Sequence, residues 1–215
     1  MKKNRYDTRW MVAVALMAAV ELILVITGIG LIPLPIIKAT TLHIPVILGG
    51  VLMGPVAGGV LGLVFGLCSM WTNTTAPGLL SFAFSPFMSM SGLSGALKAI
   101  WIAVGCRILI GVVAGILWLV LKKLKVRDLI ALPVVGVVGS MTNTISVMGS
   151  IYFLLRPEYA QVKNVGVEAV LGLVMGVVGT SGVAEALAAL VLVTSVGKPL
   201  VHMMGIMAER DVPKA

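Results

Sequence analysis

The stretch Ile44–Leu67, IPVILGGVLMGPVAGGVLGLVFGL, holds no charged residue and is interrupted once, at Met53-Gly54-Pro55. Proline cannot donate a backbone hydrogen bond and glycine takes up angles closed to other residues, so this break ends one helix and starts the next. The apolar run before it, residues 41 to 53, makes a helix of about 20 Å at 1.5 Å per residue. The hydrocarbon core of a bilayer is roughly 30 Å thick, so this second span is read as tilted or incomplete. The run after it, 56 to 71, is a third span. Its Gly58, Gly59, Gly62 and Gly66 have the three- and four-residue spacing that lets helices pack closely in lipid.

Composition extends this reading to the whole chain. Of 215 residues, 59% are hydrophobic and 11% charged, with a mean hydropathy of +1.11. Soluble domains carry about 25% charged residues, so water is not this chain's main solvent. Spans of roughly 20 residues fit at 10 to 31, 41 to 53, 56 to 71, 96 to 121, 129 to 153 and 167 to 196. The expected fold is therefore all-α, a six-helix transmembrane bundle, with residues 1-215 forming one membrane domain. The basic N-terminus followed by apolar residues imitates a secretory signal, but its apolar stretch outruns a signal h-region and is read as a retained first helix. Cys68 and Cys106 lie inside apolar segments without CxxC spacing, which indicates neither a metal site nor a disulfide framework.

The net charge of +8 is topological. Basic residues sit where segments end, unclustered with stacking aromatics, so nucleic acid is not an expected partner. With the N-terminus inside, the inner face holds Lys2, Lys3, Arg5, Arg9, Lys122, Lys123, Lys125, Arg127, Lys198, Arg210 and Lys214, and the outer face Lys38, Lys98, Arg156 and Lys163. The positive-inside rule then places both termini in the cytoplasm. Three connections face outward: Ile32 to Thr40, the long Thr72 to Gly95, and Arg156 to Gly166. The bulk on that face marks it as the binding face.

Ionisable groups at membrane depth need a partner or a task. Arg107 lies about 14 Å into the fourth span from Lys98, Asn143 is central in the fifth and Glu185 in the sixth. Arg107 with Asn143 suits an anionic substrate; equally, Arg107 and Glu185 suit an internal ion pair, and a combination in which Glu185 aligns Arg107 is a third possibility. Glu21, deep in the first helix, reads more readily as a partner for a neighbouring helix. His43 follows the first outer loop, beyond Lys38, where it either closes over a ligand or packs. In Trp71–Phe87, WTNTTAPGLLSFAFSPF, Asn73, Thr74 and Ser85 offer hydrogen bonds, Pro77, Gly78 and Pro86 form turns, and Phe82 and Phe84 can cover an apolar ligand face. This connection is either a lid or a loop in the headgroup region. Trp10, Trp71 and Tyr152 sit at interfaces, where aromatic belts are ordinary.

GTSG at Gly179–Gly182 has the GxSG form of intramembrane serine proteases. A nucleophilic Ser181 needs a base within reach, and His43 and His202 are the only histidines; His202 falls some twenty residues on, near the inner surface. No phosphate loop and no HExxH occur, so ATP would be used by a partner and no catalytic residue or metal site is expected. On the first helix, Ala15 and Ala19 form a small-xxx-small face on which another helix can dock.

These features together resemble the S-components of energy-coupling factor (ECF) vitamin transporters. The resemblance covers nearly the whole chain and is strongest in Ala15-x-x-x-Ala19, in Ile32–Leu67 and in the loop ending SFAFSPF. It implies a six-helix protein with cytoplasmic termini and a vitamin site near the outer face. It also implies docking through the alanine face onto a transmembrane T subunit carrying two ATPases, and toppling of the S-component to release its ligand inward. The TTLHIP and NTTAPGLLSFAFSPF blocks look most like pantothenate-specific members. Pantothenate, an anion with an amide and two hydroxyls, suits Arg107, Asn73 and Asn143. Riboflavin would favour more aromatic surface than the 6% present, and cationic thiamine an acidic site. The rival readings are an intramembrane hydrolase and a stand-alone facilitator.

Overall fold

The computed structural model describes residues 8–28, 31–33 and 38–210; the side chains of 31–39 and 204–210 lie outside that description, as do Lys2, Lys3, Arg5 and Lys214. The chain runs α1 (Thr8–Thr27), a minimal hairpin of β1 (Leu31–Pro33) and β2 (Lys38–Thr40), α2 (His43–Met53), α3 (Pro55–Thr75), α4 (Gly92–Ile100), α5 (Cys106–Lys123), α6 (Asp128–Leu154), α7 (Arg156–Lys163), α8 (Val170–Val177) and α9 (Val183–Arg210). A π-helical turn joins α4 to α5 and another joins α8 to α9, so that Gly92–Lys123 and Val167–Met203 are each one continuous apolar span. Among the described residues, five segments are long and apolar enough to cross a membrane, and α2 is a shorter apolar helix. The chain is an all-α polytopic membrane bundle apart from the antiparallel hairpin, in which Leu31 pairs with Thr40 and Pro33 with Lys38.

Three segments differ from the sequence-based expectation. The end of the first span, to residue 31, leaves the helix after Thr27 and feeds the hairpin. Asn73 and Thr74 are not in a loop but on the last turn of α3, because their side chains donate to the carbonyls of Ser69 (2.8 Å) and Met70 (2.7 Å) and so continue the helix surface. The connection from Arg156 to Gly166 contains α7, which starts with Pro157 in its first turn and ends at Asn164 in the left-handed conformation. Proline at a helix start and asparagine past its end are both favoured placements.

The break at Gly54 has a local cause. Gly54 stands at φ 92° and donates its N–H to the Gly50 carbonyl, while Pro55 opens α3. This folds α2 back along α3, and both pack on α5 through backbone contact. A Cβ at Gly58 would lie 2.4 Å from the Gly111 carbonyl oxygen, one at Gly62 2.3 Å from that of Arg107, and one at Gly66 2.7 Å from that of Ala103. The seam therefore fixes the height of Arg107 against α3.

Two apolar clusters fill the interior. One, nearer the basic ends of the helices, includes Ile47, Leu61, Ile110, Trp118, Leu132 and Val193. The other includes Phe82, Ile102, Ile151, Tyr159, Val170 and Val174. Between them along the helices lie the buried polar residues Arg107 on α5, Ser140, Asn143 and Thr144 on α6, and Glu185 on α9. The outer surface is apolar, with Leu16, Ile23, Leu63, Ile116, Ile145 and Leu187 among its exposed residues, as expected of a lipid-facing bundle. Helix α1 is the least embedded: it buries Val14 and Glu21, while Ala15 and Ala19 face outward.

Candidate functional site

Arg107 follows the first π turn by two residues and is 8% exposed. Its guanidinium carbon lies 5.0 Å from the centroid of the Phe65 ring and 5.3 Å from that of Phe84, close enough for cation–π attraction to both. Nε and Nη1 are buried without a hydrogen-bond partner among the described residues. Among the described residues the ion pair within 4 Å is Lys122–Asp128, and Arg107 belongs to none. Glu185 is occupied elsewhere: its Oε1 accepts from the Thr40 backbone N–H at 3.0 Å and from the Thr40 hydroxyl at 3.1 Å. That contact ties the hairpin to α9.

Arg107 opens onto a cavity of about 260 Å³ whose walls include Leu24 of α1, Thr40 of β2, Phe65, Cys68 and Asn73 of α3, and Phe84 of the connection after it. This volume lies just below the roughly 300–1,000 Å³ of small-molecule sites in general, and so suits a compact solute. The connection is drawn down by hydroxyl and amide bonds. Asn73 Oδ1 accepts from Ser81 Oγ at 2.9 Å, Ser81 Oγ accepts from the Gly78 N–H at 2.8 Å, and Ser85 Oγ is 2.7 Å from Thr74 Oγ1. Two 3-10 turns, Ser81–Ala83 and Pro86–Met88, complete the cover. Phe82 packs in the core and Phe84 lies over Arg107. At its far end the connection is held by Ser91, whose hydroxyl donates to Glu158 of α7.

The sequence-derived candidates thus separate by position. Arg107 and Asn73 line the cavity. Ser85 is fully buried and holds the cover instead of lining the cavity. Asn143 is 7% exposed and does not line the cavity, and among the described residues its Oδ1 has no hydrogen-bond partner. His43 is fully buried beside Thr40, with neither ring nitrogen in a well-formed hydrogen bond. The Lys38 side chain lies outside the described residues. Glu21 is fully buried, and among the described residues neither of its carboxylate oxygens has the hydrogen-bond partner that an interhelical pair would supply. Sequence reading missed Thr40, which joins the cavity to Glu185, and Phe65, which reads as one more apolar residue in a glycine-rich helix. Ser181 lies in the second π turn and makes no hydrogen bond to a histidine among the described residues. Among those residues no three His, Cys, Asp or Glu side chains come together as a metal site.

The family model for the substrate-specific component of ECF transporters matches residues 9–197. The chain belongs to this family. As an S-component it is a multi-pass membrane transport subunit and not an enzyme; in such transporters ATP is used by partner subunits. It is also 31% identical over 199 residues to the pantothenic acid transporter PanT of Lactococcus lactis subsp. cremoris (strain MG1363), a match covering 91% of this chain and 94% of the relative.

Proposed function

We propose that this S-component binds pantothenate in the cavity above Arg107 and delivers it inward. The observation that carries the reading is the guanidinium: buried, flanked by two aromatic rings, without an ion pair, and facing a cavity of small-solute size. An arginine at bilayer depth costs about 2.5–3.5 kcal/mol on insertion scales. A carboxylate ligand offsets that cost by supplying both counter-charge and acceptors for Nε and Nη1. The likeness to PanT supports pantothenate as that carboxylate. Glu185 holds Thr40 at the rim, His43 is buried beside it, Asn73 lines the cavity and with Ser85 sets the cover, and Asn143 is buried without lining the cavity. Purified protein is expected to bind radiolabelled pantothenate saturably, with displacement by unlabelled pantothenate and not by riboflavin, thiamine, biotin or folate. Absence of saturable binding, or displacement by another of these vitamins, overturns the assignment.

Delivery requires the rest of the transporter. In this reading the single domain 1-215 has both termini in the cytoplasm, the cavity opens outward, and the exposed Ala15 and Ala19 dock on a T subunit that carries two ATPases. Ala15→Leu and Ala19→Leu are expected to stop ATP-dependent uptake in vesicles holding the whole complex while leaving pantothenate affinity unchanged. Uptake at the unsubstituted rate would remove this face from the docking surface.

A further inference from the structure

Each of the two long interrupted spans has one π turn, and each π turn stands just before a buried ionisable residue: Trp101–Gly105 before Arg107, and Val178–Gly182 before Glu185. The interior stripe explains both positions. On the first span one buried row advances in fours, through Gly95, Ala99, Ala103 and Arg107, beside the buried Ile102 and Cys106. An α-helix rotates about 100° per residue, so each step of four overshoots by about 40° and three steps accumulate about 120°. Continued as plain α-helix, Arg107 would face a third of a turn away from Gly95. A π turn takes one extra residue per turn and removes about 100° of that drift. The second span repeats the pattern through Val170, Val174, Val178, Gly182 and Ala186, after which Ala189 and Val193 resume ordinary α spacing.

The first π turn is held from α6. Ser150 Oγ accepts from Trp101 Nε1 at 3.2 Å and lies 3.6 Å from Cys106 Sγ. One hydroxyl therefore holds the residue that begins the π turn and the residue that follows it. The Trp101 ring covers Gly105, where a Cβ would come within 2.5 Å of it. Ser150 is two helical turns along α6 from Asn143, on the same face.

We propose that Ser150 is a positioning residue for the anion site: by holding the π turn it sets the rotation of α5 that aims the Arg107 guanidinium into the cavity. The affinity consequence rests on the carboxylate reading above; the rotational consequence does not. Rotation is tested by cysteine labelling in full-length protein carrying Cys68→Ser, with the fully buried Cys106 kept as a Ser150 contact and its background reaction subtracted. With a water-soluble methanethiosulfonate reagent, Arg107→Cys is expected to react and Ile108→Cys to resist. Adding Ser150→Ala should suppress the Arg107→Cys reaction, and Ser150→Thr should restore it. Labelling at 107 that ignores Ser150→Ala overturns the proposal, whatever the ligand. Affinity supplies the second readout. Ser150→Ala is expected to weaken pantothenate binding about tenfold, the scale of one charge-assisted hydrogen bond, and to leave binding of panthenol, the neutral alcohol analogue, unchanged. Equal losses for both ligands would show a general structural role and overturn it too. Failure of the unsubstituted protein to bind pantothenate would sink the vitamin assignment alone, since the labelling pattern still decides the rotation.

Discussion

Arg107→Ala is expected to weaken pantothenate binding by roughly thirtyfold or more while leaving the folded bundle at least as stable as before. Truncating one member of a buried hydrogen-bonded charge pair costs about 2–5 kcal/mol of affinity, or roughly thirtyfold to several thousandfold. Stability should move the other way because the guanidinium has no ion pair to lose among the described residues. Its removal sacrifices contacts with Phe65 and Phe84, worth about 0.5–2 kcal/mol each, and relieves a comparable burial cost. A structural arginine gives the opposite signature, lower thermal stability with affinity reduced only in proportion. Arg107→Lys should fall between, keeping the charge but losing the planar two-point grip on a carboxylate. Isothermal titration and thermal unfolding in one detergent separate the two outcomes, and unchanged affinity in Arg107→Ala would return the residue to a packing role.

Gly111→Ala is expected to have the largest effect on folding. The added Cβ would lie 2.0 Å from the Gly58 carbonyl oxygen and 2.2 Å from its carbon. Both obstacles are backbone, so no side chain can turn aside and α3 must separate from α5. Overpacking of this kind costs about 3 kcal/mol or more, which lowers the melting temperature by roughly 6–12 °C for a chain of this size. Gly172→Ala on α8 is the control: nothing lies within 4 Å of its Cβ, and alanine favours helix over glycine, so stability should hold or rise. Equal melting temperatures for the two variants would show that the α3–α5 seam does not limit folding. Pantothenate affinity should fall with Gly111→Ala as well, since the same seam carries the Arg107 carbonyl.

Local chemistry made much of this legible from residues alone. Gly54-Pro55 dictates a break whatever surrounds it, and Gly58, Gly62 and Gly66 announce a close helix contact before its partner is known. Arg107, Asn143 and Glu185 stand out because polar groups in apolar runs are costly, and each of them is buried. What escaped was non-local or ambiguous. Nothing near Thr40 shows that its N–H and hydroxyl serve a carboxylate 145 residues away. The run WTNTT reads as loop because its residues are polar, yet their side chains fold back onto the α3 carbonyls. The π turns lie in plain sight as a stripe advancing in fours, a pattern that looks like ordinary amphipathicity until its angular drift is added up.

The polar layer between two apolar clusters has a consequence for how such a protein changes over time. Folding draws on the clusters and on the glycine seam, while solute recognition, in the function proposed above, draws on a few residues of the layer and on one connection. Substitutions in the layer can therefore alter the cargo without disturbing the chassis, much as a lock is rekeyed without replacing its body.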